Sequence, residues 1–210
     1  MKKYSSNRDS KRIDKSSACE TCLRPLDQCI CGKVANYNNE AQILILQHPQ
    51  EQYKLLNSAV LSHLALKNSK VVVGLSWRNL NQALGLDGET DAKQWGVLYL
   101  HGIIDPSRLI ELFDTRHARL LPIKTKFKGI VVLDGSWKQA KSTWWRNPWL
   151  LKLTRITLNP DHKSLRGQTK KEGLATVEAI ALALDCLGEN KEIGAGLRKQ
   201  YEELIIKPNR

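Results

Sequence analysis

IVVLDGSWKQAKSTWWRNPWL, residues 130 to 150, decides the fold class. Ile130 to Leu133 is an unbroken apolar run of strand length, rich in β-branched residues, and it follows Gly129. Asp134-Gly135 then supplies a tight turn, with Ser136 placed to cap a helix over Trp137 to Arg146. That helix has to stop at Asn147-Pro148, because the residue before a proline disfavours helical backbone. A buried strand, a tight turn and a helix in direct succession are the unit from which α/β sheets are built.

The same alternation extends in both directions. Ala41 to Gln47 (AQILILQ) reads as a buried strand closed by His48-Pro49, and Lys54 to Leu66 as a helix with Leu55, Ala59, Leu61, Leu64 and Ala65 apolar. Val71 to Val73 is a short strand ending at Gly74, and Val97 to Leu100 another, before His101-Gly102. A helix is expected from about Pro106, with Leu109, Ile110, Leu112 and Phe113 on its buried face. Arg155 to Leu158 reads as a further strand, and Leu174 to Leu187 as a helix with Val177, Ile180, Ala181 and Leu184 on one side. The prediction is an α/β fold: a mostly parallel sheet, helices on both faces, and ligands at the C-terminal ends of the strands. A chain of 210 residues holds one such domain, one active centre and a small appendage.

The 33 Lys and Arg against 21 Asp and Glu give a net charge of +12, which suits a polyanionic partner such as RNA. No apolar run reaches the roughly 18 residues of a membrane span, and the N-terminus has no apolar signal core, so a cytoplasmic protein without a membrane partner is expected. Residues 1–18, with Lys2, Lys3, Arg8, Lys11, Arg12 and Lys15 among polar residues, read as a disordered basic arm, either a hook for RNA phosphates or a solvated tail. Residues 19–35 read as a metal knuckle and 36–210 as the catalytic domain. Cys19-x2-Cys22 and Cys29-x-Cys31 put four thiolates within reach of one ion. Such a set closes a tetrahedral structural Zn(II) site, although an iron–sulfur centre uses the same ligands. Lys15, Arg24 and Lys33 would offset its charge, Pro25 and Gly32 allow its turns, and Cys186, far along the chain, reads as a core cysteine.

Asp134 and Ser136 are either helix caps or the polar groups of a site. Here the chain resembles the DTW-domain family, whose signature usually reads DGTW and stands as Asp134-Gly135-Ser136-Trp137 followed by Gln139-Ala140. The resemblance spans about residues 19 to 187 and includes Arg24-Pro25 within the cysteine cluster, His48-Pro49, Leu98-Tyr99 and Pro148-Trp149-Leu150. Leu165-Arg166 and the run from Ala175 to Ala179 complete it, while Leu100-His101 departs from the family by lacking a proline soon after Leu-Tyr. It implies a SPOUT-like fold with a C-terminal trefoil knot holding S-adenosylmethionine. It also implies a tRNA-uridine aminocarboxypropyltransferase that makes acp3U, as bacterial members do at position 47.

On that reading Asp134 is the candidate base or acceptor for uridine N3–H, with His48 in reserve. Trp137 would stack on a base or on adenine, and Leu98, Tyr99 and Leu133 would line the adenine pocket beside Ser136. Thr176, as cap of the last long helix, would free N–H groups for the donor's carboxylate, and Glu178 would meet its ammonium or merely complement the helix dipole. Lys163, Arg166, Lys170 and Lys171 are the candidate RNA contacts, and Trp144, Trp145 and Trp149 either stack on bases or close the core. A monomer or weak homo-oligomer is expected. The competing readings are a zinc-containing RNA-binding module without catalysis, and an S-adenosylmethionine-dependent RNA methyltransferase.

Overall fold

The computed structural model describes residues 13–99, 105, 107–165 and 173–206. Most of the basic arm, His101-Gly102, Pro106, Arg166, Lys170 and Lys171 lie outside the described residues. The described strands are β1 (Gln42–Gln47), β2 (Ser69–Val73), β3 (Trp95–Tyr99), β4 (Ile110–Asp114), β5 (Arg119–Leu121), β6 (Gly129–Asp134) and β7 (Thr154–Leu158). They form one seven-stranded sheet in the order β2-β1-β6-β3-β7-β4-β5. The pairings from β2 through β7 are parallel, and β4 and β5 close that edge with antiparallel ladders.

Among the described residues five α-helices cover the two faces: α1 (Ser58–Ala65), α2 (Leu80–Leu84), α3 (Trp137–Arg146), α4 (Thr176–Cys186) and α5 (Lys191–Ile206). One core joins Ile43, Ile45, Ile130, Val132 and Ile156 of the sheet to α1, α4 and α5. The opposite core joins Leu44, Leu46, Val97 and Val131 to α2 and to Trp149 and Leu150 beyond α3. The split follows strand alternation, since successive side chains point to opposite faces and both faces of a central strand must be apolar.

Crossovers place the site. From β1 the chain runs through α1 to β2 on one side, whereas from β6 it runs through α3 to β7 on the other. The crevice between the C-terminal ends of β1 and β6 is therefore a topological switch point, where helices leave in opposite directions and a ligand can approach the backbone. Gln47 and Asp134 are register partners at that end.

Two expectations change. The helix expected from Pro106 is replaced over Ile110–Asp114 by β4, in which Ile110, Leu112 and Asp114 are buried and Glu111 and Phe113 are less so. The period there is two, and the four apolar residues also satisfied a helical spacing over too short a window to separate the two. The helix expected from Lys54 begins at Ser58, because Asn57 takes the N-cap and accepts Val60 N–H at 3.1 Å. Helix α5, not foreseen, buries Ile193, Leu197 and Tyr201 one turn apart; the two aliphatic side chains each stabilise the fold by about 1.5–3 kcal/mol. Cys186 is half-buried against the same core, and burial pushes its thiol up.

Candidate active site and metal centre

Asp134 is 9 % exposed, at the C-terminal end of the central strand β6. Its Oδ2 accepts a hydrogen bond from Gln47 Nε2 at 2.8 Å, and its Oδ1 accepts a short one from the Thr176 hydroxyl. The carboxylate thus ties β6 to β1 and to the first turn of α4. Gln47, 1 % exposed, also donates to Asn57 Oδ1 at 3.1 Å, and its own Oε1 is buried without a hydrogen-bond partner among the described residues. Asn57 in turn donates to the carbonyls of Glu51 and Gln52 at 3.3 and 2.9 Å, which fixes the loop after His48.

His48 packs beside this cluster. Its backbone N–H donates to the Asp134 carbonyl at 2.9 Å, and its Nδ1 accepts Gln50 N–H at 3.2 Å, capping the short turn Pro49–Glu51. Gly135 is required by close approach, since a Cβ there would stand 2.9 Å from Gln139 Cβ. Ser136 caps α3 in a capping box whose other half is Gln139 Oε1, accepting Ser136 N–H at 2.6 Å. Gln139 Nε2 then donates to Gln50 Oε1 at 2.9 Å, so the turns after β1 and β6 are joined. Trp137 is half-buried at the start of α3.

At α4 the cap is Ala175, and Thr176 is the first helical residue, its hydroxyl engaged by Asp134. Glu178 is 3 % exposed and accepts from Ser164 Oγ at 2.6 Å, Leu165 N–H at 2.9 Å and Ala175 N–H at 2.7 Å. Both its oxygens hold protein donors, so Glu178 ties Ser164 and Leu165 to the start of α4. Leu98 is buried in the core of α1, α4 and α5, while Leu133 packs toward the opposite core. These two expected adenine contacts therefore sit on different faces of the sheet, while Tyr99 ends β3. Lys163 is exposed. Gln47, Asn57 and Ser164 were not singled out from sequence; the legible signal was Gln47, a polar residue closing the apolar run AQILILQ.

The four thiols of Cys19, Cys22, Cys29 and Cys31 lie within 4.8 Å of one another. The distances Cys19–Cys31, Cys22–Cys29 and Cys19–Cys29 are 3.8, 3.8 and 3.7 Å. A tetrahedron with metal–sulfur bonds of about 2.3 Å has edges of about 3.8 Å, so the donor set fits one four-coordinate ion. Backbone N–H groups of Cys22 and then Thr21 pull the Cys19 thiol down to about 6, whereas burial, then hydrogen bonds among the thiols, push Cys31 up to about 12. Burial also raises Cys22. Leu23 adopts φ 56, a left-handed conformation costing about 1–2 kcal/mol for a residue with a side chain, as it wraps between Cys22 and Arg24. Arg24, 5 % exposed, donates from Nε to Gln28 O at 2.9 Å and from Nη1 to Leu55 O at 2.6 Å. Together with Ile13 N–H on Tyr53 O at 2.9 Å and Lys15 over the Tyr53 ring at 5.1 Å, this docks the knuckle on the loop that carries Asn57.

Fold and site define an α/β protein with a buried carboxylate at the switch point of a parallel sheet and a four-cysteine centre docked beside it. The DTW domain family model matches residues 16–207, and the chain belongs to that family. It is similar to the "tRNA-uridine aminocarboxypropyltransferase 2" of Drosophila melanogaster, 28% identical over 188 residues that cover 86% of this chain and 70% of that protein. The proteins of the same name from Macaca fascicularis and Mus musculus are 25% identical over 191 residues, 89% of this chain and 61% of theirs. The chain thus spans well under the full length of these curated relatives. No solved structure matches. Among the described residues, no helix is long and apolar enough to cross a membrane.

Proposed function

We propose that this chain transfers the 3-amino-3-carboxypropyl group of S-adenosylmethionine to N3 of a uridine in tRNA, with position 47 the expected target, and releases methylthioadenosine. The observation that carries the reading is the Asp134 carboxylate held at the switch point by Gln47 and Thr176, in a chain similar to curated proteins of that name. The sulfonium of S-adenosylmethionine activates its three attached carbons, and presenting the methionine Cγ to the base selects the aminocarboxypropyl group.

Asp134 accepts the N3 proton or orients the imide as the N3–Cγ bond forms and the Cγ–S bond breaks. His48, across the same turn, is the reserve base. The buried Gln47 Oε1 beside Asp134 is an acceptor that a bound N–H or ammonium would satisfy, which supports a fit to the donor's amino-acid end. Leu133 at the end of β6, Ser136 in the turn and Trp137 at the start of α3 would border the donor, and Thr176 and Glu178 position Asp134 and residues 164–165 around it. Lys163, Arg166, Lys170 and Lys171 supply phosphate contacts. The knuckle of residues 19–35 holds Zn(II) as a structural ion, and residues 36–210 form the catalytic domain, a SPOUT-like fold with a C-terminal trefoil knot.

Position-specific label tests the transfer. Label in the methionine carboxyl of S-adenosylmethionine should enter tRNA, whereas label in its methyl group should stay with the released nucleoside. The reverse pattern would establish methyl transfer, and no incorporation of either label, with tRNA still bound, would leave an RNA-binding module.

A further inference from the structure

Trp145 is 69 % exposed, the only aromatic residue among the large exposed hydrophobics of the described chain. Its neighbours in α3 explain why. Ala140 and Thr143 are buried and Trp144 packs against the core below, so the opposite face carries Lys138, Lys141 and Trp145. At 3.6 residues per turn these three fall on one stripe about 10 Å long, which begins four residues after Asp134. From Gly135 to Lys152 the chain carries Lys138, Lys141, Arg146 and Lys152 and no acidic residue. Neither lysine of the stripe has an acidic partner among the described residues. Trp149 and Trp95 are buried and account for core packing on this side, so folding does not account for a bare indole at 145.

We propose that the solvent face of α3 is a docking strip for a single-stranded segment of the tRNA, in which one base stacks on Trp145 while Lys138 and Lys141 hold adjacent phosphates. The inference rests on the reading of tRNA as substrate and adds a surface on α3 to the candidate contact at Lys163. Charge complementarity selects a polyanion, and the flat exposed ring beside the cations selects unpaired bases, because stacking tolerates any base and a duplex keeps its faces covered. The strip begins four residues after Asp134 and runs about 10 Å along α3, roughly three stacked rises of about 3.4 Å, to Trp145.

The test is equilibrium binding of unmodified tRNA to the full chain, to Trp145→Ala, to Trp145→Phe and to the pair Lys138→Gln with Lys141→Gln. Trp145→Ala should weaken binding about 5- to 150-fold, the range for losing one stacked base, while Trp145→Phe retains most of the affinity. The lysine pair should lower the slope of log affinity against log salt by about 1.4 to 1.8, from roughly 0.7 to 0.9 per phosphate released. If Trp145→Ala binds within twofold of the unaltered chain at an unchanged melting temperature, the strip is overturned and the tRNA reading stands. Failure of the unaltered chain to bind tRNA overturns both. A loss confined to anionic phospholipid vesicles, with tRNA binding intact, would assign the surface to lipid and refute the proposal.

Discussion

Replacing Asp134 by asparagine separates a chemical role from a structural one, because the two roles load different quantities. In the folded chain both carboxylate oxygens accept from donors, Gln47 Nε2 and the Thr176 hydroxyl. An amide keeps one acceptor oxygen for Gln47 and turns its NH2 toward Thr176, whose hydroxyl can rotate to accept. Each contact then drops from a charge-assisted bond, about 1.5–3 kcal/mol, to a neutral one of about 0.5–1.5 kcal/mol. Two contacts give a loss of up to about 3 kcal/mol, reduced because the amide escapes the desolvation cost of a buried carboxylate. At about 2–4 °C per kcal/mol for a chain of this size, the melting temperature should fall by no more than about 12 °C. Single-turnover transfer to tRNA, measured well below that temperature, should fall about 10²- to 10⁴-fold if Asp134 is the base or imide acceptor. Gln47→Leu is the control. It removes the donors to Asp134 and Asn57 and so destabilises by a similar amount, and it also removes the Oε1 acceptor assigned to the donor's amino-acid end, so it should weaken S-adenosylmethionine binding; at saturating donor, with the carboxylate kept, transfer should fall less than about tenfold. Transfer rates that fall in parallel in the two variants, or near-normal transfer in Asp134→Asn, would refute the chemical role.

Cys29→Ser removes one ligand of the four-thiol set and should lower bound zinc and the melting temperature of the knuckle while leaving S-adenosylmethionine affinity nearly intact; lost cofactor binding with zinc retained would contradict the assignment. The Asp114 carboxyl, held down to about 2 chiefly by its hydrogen bond from His117, stabilises the β4–β5 turn above its ordinary value near 3.8, and that contribution is lost as pH falls through about 2. The melting-temperature gap between the unaltered chain and Asp114→Asn should therefore be widest above about pH 4 and close toward pH 2; a gap independent of pH would contradict this.

The central strands and α3 were legible because they are punctuated. Ile130 to Leu133 ends at Asp-Gly, Ala41 to Gln47 ends at His-Pro, and Trp137 to Arg146 ends at Asn-Pro, so apolar run and breaker agree. Leu109 to Phe113 is too short to separate a period of two from 3.6, and the pairing of β4 with β7 and β5 decides it. The spacing of Ile193, Leu197 and Tyr201 is regular enough for a helix, but Gly194 and Gly196 fall within α5 and lower its helix propensity. The site was legible as a place and not as a network. Asp134, Thr176 and Glu178 are visible as polar residues at element ends, but which oxygen each donor reaches depends on register and on how α4 seats against β6. Register is also what puts Leu98 and Leu133 on opposite faces of the sheet, although both belong to apolar strands.

The most direct test of the account is mass spectrometry of nucleosides from unmodified tRNA incubated with the purified chain and S-adenosylmethionine. The account predicts a uridine heavier by about 101 Da, formed with an equal amount of methylthioadenosine, whereas a uridine heavier by about 14 Da, or unchanged uridine from tRNA that the protein binds, would contradict it.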